Sequence, residues 1–460
     1  MIDHSSGALE IASAVKAGTV SAVEVARAAL FRIGALDAHL GAFTAVTAER
    51  ALDEAAAVDA RVRSGGDPGP LAGVPFAVKN LFDVKGLPTL AGSKINAGHP
   101  PAGADAELVR RLIGAGAVLV GALNMGEYAY DFTGENSHHG PSRNPHDPAR
   151  MSGGSSGGSG TAVAAGFVPL ALGSDTNGSI RVPSSFCGLF GLKPTFGRLT
   201  REGTFPFCFS LDHLGPLGRS AADLAAAYDA MREPGAGTPV SPVLGQGAEG
   251  LRIAVAGDYF ARGGDPAAFE AVATVAEALG ARDTVVVPEA ARARAAAYVI
   301  TAAEGGSLHL DRLRNRAADF DPATRDRLMA GAMVPVPWYL QAQRFRRWYH
   351  DRVMELFSRV DILLAPATPC TAPPIGQQTM VLDGVEMLVR PNIGIFTQPL
   401  SLIGLPVVAV PVRRPGGLPI GVQVVAAPGR EDLALRVAAD LEAKGVCKAP
   451  VARGETSWER

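Results

Sequence analysis

Apolar residues first settle into helical spacing after Ser21, where Val23, Val25, Ala26, Ala29 and Leu30 form one stripe and the serine is placed to cap it. A second helix is predicted over 47–63. The period then falls to two: Val74, Phe76 and Val78 alternate in a strand of the segment GVPFAVKN that delivers Lys79 at its end. A charged residue at a strand end in an α/β pattern is a candidate for chemistry. A helix over 106–115 and a buried strand over 117–123 continue a βαβ rhythm.

A long polar loop, TGENSHHGPSRNPHDPARM, then leads into the glycine- and serine-rich run 153–160, a short helix through 162–165 and an apolar strand at 168–172. The following segment, 173–197, is too rich in small and turn residues for regular structure and too apolar for a solvated linker. A buried, irregular loop is expected there. From 219 to about 360 the pattern is mostly helical, with strands at 252–256 and 283–287. Strands at 362–365, 407–412 and 420–425 return to the core, and a helix over 431–442 closes the pattern. No fixed-period repeat interrupts it. The expected fold class is α/β: one domain around a central mixed β-sheet flanked by helices, with a mostly helical insertion at about 220–350.

At 460 residues and 47% hydrophobic, the chain can bury a large core as one unit or as two to three domains. Forty-three Lys and Arg against 45 Asp and Glu leave a net charge of -2, so no global field favours nucleic acid or an anionic membrane, and a small molecule is the default partner. The apolar runs 161–173 and 396–412 are short or proline-broken and read as core rather than membrane spans. Cys187, Cys208, Cys370 and Cys447 lie far apart without a CxxC pair. MIDHSSGALEIASAV lacks the pattern of a secretory leader. Both features predict reduced thiols in the cytoplasm.

The glycine-rich run is no phosphate cradle, since neither GK[ST] nor a strand-borne GxGxxG accompanies it. Gly153 to Gly157 formally satisfies GxSxG, but a nucleophile elbow needs an apolar strand just before it, and RNPHDPARM is polar and proline-broken. A flexible linker is excluded by ordered apolar elements on both sides, by Lys79 upstream and by a second serine-bearing loop downstream. His138, His139 and His146 lack the companions of a metal shell, so neither metal nor other cofactor is expected.

Lys79 in GVPFAVKN, GGSSGG at 153–158 and GSDTNGSIRVPSSFCGLFGLKPT at 173–195 together resemble the three signature blocks of the amidase signature family. The likeness continues through SLDHLGPLGRS at 210–220 and GLPVVAVP at 404–411. It implies a hydrolase with a Ser-Ser-Lys triad: Ser179 as nucleophile, Ser155 as the bridging serine after a cis peptide bond, and Lys79 as base. A serine hydroxyl needs a proton acceptor, and a desolvated lysine can serve through an intervening hydroxyl. The turn Thr176-Asn177-Gly178-Ser179 can aim backbone N–H groups at a developing oxyanion. Asp175 and Arg181 read as a structural charge pair, and Ser156 as a supporting donor. Asn177 departs from the Gly-Gly that many members carry before the nucleophile.

Within the family, GENSHHGPSRNPHD and 173–183 resemble the 1-carboxybiuret hydrolases of cyanuric acid breakdown. That implies a small anionic ureide as substrate, an acyl-enzyme, and a pocket with a cation. Arg312 is the candidate clamp, with His309 beside it on one helix face, while Arg314 and Arg316 read as solvated. Tyr128, Tyr130 and Asp131 are expected to wall the pocket. The resemblance also implies a homo- or hetero-oligomer and a small helical partner subunit. The competing readings are the ammonia-releasing component of a glutamine-dependent amidotransferase, a general acyl amidase and a non-catalytic scaffold.

Overall fold

Ser21 accepts the amide of Glu24 while Glu24 bonds back to Ser21, and this capping box opens helix Ala22–Leu40, which ends at Gly41 with φ 65°. The computed structural model describes residues 2–233, 235, 237–414 and 416–452. Helix Ala48–Arg63 follows β1 (Phe43–Val46). The further strands are β2 (Pro75–Lys79), β3 (Val118–Leu123), β4 (Arg143–Asn144), β5 (Asp147–Met151), β6 (Leu170–Asp175), β7 (Phe190–Lys193) and β8 (His213–Gly218). After these come β9 (Ile253–Ala256), β10 (Asp283–Val285), β11 (Ile362–Pro366), β12 (Thr379–Leu382), β13 (Val385–Leu388), β14 (Val407–Val412) and β15 (Ile420–Ala426).

Eleven of them hydrogen-bond into one sheet in the order β1-β3-β2-β6-β8-β7-β14-β15-β11-β9-β10. The sheet is mixed: β2 runs parallel to β3 and β6, β9 parallel to β10 and β11, and the pairs from β6 through β8, β7, β14 and β15 to β11 are antiparallel. Every residue of β2, β3, β6, β7, β8, β11, β14 and β15 is buried, which requires cover on both faces. Helices Gly157–Ala164, Arg181–Cys187, Ala221–Met231, Pro266–Ala278 and Glu431–Ala443 pack on these strands.

Two segments differ from the expectation. The polar stretch 133–151 contains the hairpin β4–β5, because tertiary bonds outweigh its prolines: Met151 N–H donates to Pro373, Thr161 hydroxyl to Arg143 O, and Asn144 amide to Phe186 O. Segment 173–197 is buried as far as Pro194, yet it is largely regular, holding the end of β6, helix Arg181–Cys187 and β7. Pro183 falls in the first turn of that helix, where its missing N–H has no helical partner to lose, and Gly188 at φ 67° ends it. The helix expected at 162–165 begins already at Gly157.

Between 219 and 360, helix Ala290–Leu308 packs against Pro322–Ala332, Val336–Phe357 and Gln398–Ser401, while β9 and β10 extend the main sheet beyond β11. Among the described residues no helix is long and apolar enough to cross a membrane.

Candidate active site

β2 carries Lys79 into a fully buried position, where its Nζ donates to Ser155 Oγ at 2.7 Å, Ser174 Oγ at 2.9 Å and Ser156 Oγ at 3.1 Å. Desolvation pushes this ammonium down to about 7, against the pull of the Asp175, Asp212 and Asp131 carboxylates. A neutral amine keeps two N–H donors and gains a lone pair, so one of three hydroxyls can donate to it while two accept. Ser156 Oγ also donates to Ser174 O at 3.2 Å, tying the serine run to the end of β6.

The Gly154–Ser155 peptide is cis. Its loop is pinned from 131–134: Gly154 N–H donates to Phe132 O at 2.8 Å and Gly153 N–H to Thr133 O at 3.1 Å. Asp131 organises that strap, accepting from the Thr133 and Gly134 amides and the Thr133 hydroxyl and pairing with Arg390. A methyl group at Gly154 would overlap Asp131 Oδ2 and the Gly134 amide.

Ser179 lies four residues beyond β6. Thr176 donates its hydroxyl to Asp212 at 2.6 Å, and Asp212 also accepts the Phe207 and Cys208 amides. Asn177 donates its side-chain amide to Thr301 at 2.8 Å, while its carbonyl accepts the Thr397 hydroxyl at 2.5 Å. Because C=O and N–H of one trans peptide point oppositely, that last bond turns Gly178 N–H away from Thr397. Gly178 has φ 144°, and a Cβ there would meet Thr397. No acceptor among the described residues takes the N–H groups of Asn177, Gly178 and Ser179. The Ser179 hydroxyl is likewise without a hydrogen bond among the described residues, though the residue is only 3% exposed.

Beneath the turn, Arg181 makes a bidentate pair with Asp175, both contacts at 2.9 Å, and donates onward to Gln423, Ser401 and Thr397 O. Burial alone would raise the Asp175 carboxyl, but the Arg181 charge and hydrogen bonds outweigh it and hold it well below the usual range. Arg181→Met, which strands Asp175 in the core, is expected to lower stability by about 3–5 kcal/mol. Urea unfolding checks this, and a loss below about 1 kcal/mol would make the pair incidental.

Beside Ser179 is a narrow cavity of about 20 Å³ whose walls include Tyr130, Asp131, Phe132, Thr176, Asn177, Phe207, Thr301 and Arg327. A neighbouring cavity of about 200 Å³ shares Ala129 and Phe207 with it and reaches Ser174 and Asp212. Of the residues expected to bind substrate, Tyr130 and Asp131 line the cavity beside Ser179, and both Asp131 oxygens are already engaged. Arg312, His309 and Tyr128 do not line it. Arg312 lies over the Tyr128 and Phe205 rings at 6.0 and 5.4 Å, and the His309 ring packs tilted against Tyr128 with centroids 4.0 Å apart. Burial pushes His309 down to about 3, so it is a neutral part of an aromatic cluster.

Sequence reasoning did not single out Ser174, Asp212, Thr397 or Arg327. The first two stand inside quoted blocks and were within reach; Thr397 and Arg327 sit in motif-free text. Among the described residues no group of three His, Cys, Asp or Glu side chains is arranged to hold a metal ion.

A buried lysine hydrogen-bonded to a serine after a cis peptide, and a second serine on a turn whose amides have no acceptor among the described residues, are the kinds of group that acyl transfer from amides requires. The chain belongs to the amidase family, whose model, described as Amidase, matches residues 24–435. It is thus a hydrolase of carbon–nitrogen bonds. It is 55% identical to AtzE, a component of the 1-carboxybiuret hydrolase of Pseudomonas sp. (strain ADP), with 96% of this chain and 99% of that one covered. It is 37% identical to a component of the glutamyl-tRNA(Gln) amidotransferase of Chloroflexus aurantiacus (strain ATCC 29366 / DSM 635 / J-10-fl), covering 92% and 93%. A solved, inhibitor-bound structure from a vestigial protein complex of an s-triazine catabolic enzyme superposes with TM-score 0.95 at 54% identity, covering 96% of this chain and 100% of that one.

Proposed function

We propose that this chain hydrolyses a small anionic ureide, 1-carboxybiuret, with release of ammonia, using Ser179 as nucleophile, Ser155 as relay and Lys79 as base. The observation that carries the mechanism is the 2.7 Å bond between a desolvated Lys79 and Ser155. The substrate is suggested by the 55% identity to AtzE.

Ser179 Oγ attacks the terminal carboxamide carbon as its proton passes to Ser155 Oγ and the Ser155 proton to Lys79 Nζ. The oxyanion is met by the free amides of the 177–179 turn. On collapse the C–N bond breaks, Lys79 returns its proton through Ser155 to the leaving nitrogen, and ammonia departs. Water, deprotonated by the same relay, then cleaves the acyl-enzyme ester and frees Ser179. Asp175, Arg181 and Ser156 hold the parts in register, and the mostly helical insertion at about 220–350 serves as the substrate-capping part of the domain.

For assembly we propose a small helical partner subunit. Exposed Met333, Val336, Trp338 and Trp348 supply apolar surface for it. The four cysteines are free and buried, in keeping with a reducing cytoplasm.

Purified enzyme is expected to release ammonia from 1-carboxybiuret at a kcat/KM at least about tenfold above that for biuret, glutamine or simple acyl amides. Preferential hydrolysis of glutamine would instead move the chain to the amidotransferase reading.

A further inference from the structure

Backbone amides that stabilise an oxyanion have no side chain to aim them, so their direction is set by whatever holds the carbonyl on the other side of the same peptide. Two peptides precede Ser179. The Gly178 carbonyl accepts the Val182 amide at 2.7 Å, a local bond at the opening of helix Arg181–Cys187, and this directs the Ser179 N–H the opposite way. The Asn177 carbonyl has no local partner among the described residues. It accepts instead the hydroxyl of Thr397, 220 positions along the chain, at 2.5 Å. We infer that Thr397 is a positioning residue for acyl transfer: its hydroxyl fixes the plane of the Asn177–Gly178 peptide and so aims the Gly178 N–H at the oxygen that becomes negative when Ser179 attacks.

Thr397 is fully buried. Its one hydroxyl proton faces two carbonyls, and the 2.5 Å contact to Asn177 takes it over the 3.1 Å contact to Gly394. The residue is itself held in place: its carbonyl accepts Arg181 Nη1 at 3.1 Å, and its amide donates to Gly394 O at 3.2 Å. Arg181 in turn pairs with Asp175, at the end of the strand from which the turn starts. The hydroxyl is thus registered to the same strand end as the peptide it holds. The Asn177 side chain is tied separately to Thr301 at 2.8 Å, which anchors the residue without setting the plane of the peptide that follows it.

Close approach is built in at the turn. Gly178 has φ 144°, and a Cβ on it would collide with the Thr397 hydroxyl, so the pairing needs glycine there. The contact also needs a donor. A methyl group meets a carbonyl oxygen at no less than about 3.3 Å, so valine at 397 would push the Asn177 oxygen back and swing the Gly178 N–H with it.

This role rests on Ser179 as nucleophile, and the experiment separates the two. kcat and KM for ammonia release from 1-carboxybiuret are measured on folded, monodisperse wild type, Thr397→Val, Thr397→Ala, Thr397→Ser and Ser179→Ala. Thr397→Val is expected to lower kcat by about 30- to 300-fold while KM moves less than about threefold, because the misdirected amide matters only once charge develops. Thr397→Ala removes the bond without the clash and should lose at least about tenfold in kcat; it replaces the valine variant if that one does not fold. Thr397→Ser restores the donor and should stay within about threefold of wild type. Methylboronic acid, whose tetrahedral adduct on a serine places an oxygen at the oxyanion position, should inhibit each variant more weakly in proportion to its loss in kcat/KM.

A purely structural part for Thr397 would lower thermal stability and yield while leaving kcat of the folded protein and the boronate inhibition as in wild type, and that result overturns the assignment. Equal losses in Thr397→Ser and Thr397→Ala overturn it as well. If Ser179→Ala keeps more than about a tenth of wild-type kcat, the nucleophile falls and this role with it. If wild type releases ammonia from glutamine instead, the proposed substrate falls, and the same separation of kcat from KM, taken with glutamine, decides Thr397.

Discussion

Ser179→Ala is expected to abolish turnover, lowering kcat by about four orders of magnitude or more, while the fold persists. The two halves of this result have separate causes. The Ser179 hydroxyl would form the covalent bond to substrate. Yet it makes no hydrogen bond among the described residues, so its removal strands no partner and leaves only a water-sized gain in space. Steady-state ammonia release and thermal unfolding, measured on one preparation, check both halves. Retention of more than about a tenth of wild-type kcat would place the nucleophile elsewhere. A mass shift trapped on wild type during turnover should be absent from Ser179→Ala.

Lys79→Met should be nearly as damaging, because it preserves side-chain volume but removes the proton acceptor from the cluster of Ser155, Ser156 and Ser174. Combined with Ser179→Ala it should add little, as groups in one relay are not independent. Multiplying losses would mean that Lys79 acts outside the relay. Its protonation gives a second handle. With Lys79 lowered to about 7, the reactive neutral form grows as pH rises, so kcat/KM should climb through pH 7 and level above it. Stability follows the same group: between about 7 and the ordinary 10.5 the unfolded chain binds the extra proton, so wild-type stability rises with pH across that window relative to Lys79→Met. A flat rate profile would remove Lys79 from the role of base.

What the sequence showed of this arrangement depended on how local its causes were. Helix Ala22–Leu40 was legible because its start is set by two residues, Ser21 and Glu24, that bond to each other. Lys79 was legible because alternation in 74–78 gives both a strand and its end. Helix Arg181–Cys187 was not, since Pro183, Ser184 and Ser185 are poor helix formers and the helix exists through complete burial against β14 and β15. The triad positions came from matching blocks, and the structure brings Lys79 and Ser155 into contact. Choosing among arginines needed three dimensions. Arg312 and Arg327 lie on successive short helices with similar text, and only packing shows one over Phe205 and the other over Tyr130 beside Ser179.

The strand order bears on how the protein is made. β14 and β15 come late in the chain yet stand in the middle of the sheet, between β7 and β11. During translation, β7 therefore waits with an open edge until residues beyond 400 leave the ribosome, a delay on the order of tens of seconds. Over that interval Arg181 also lacks Ser401 and Gln423, two of the acceptors that fix it. Until β14 and β15 are made, the nascent chain therefore carries an unpaired strand edge at β7, the kind of edge that invites pairing with other chains.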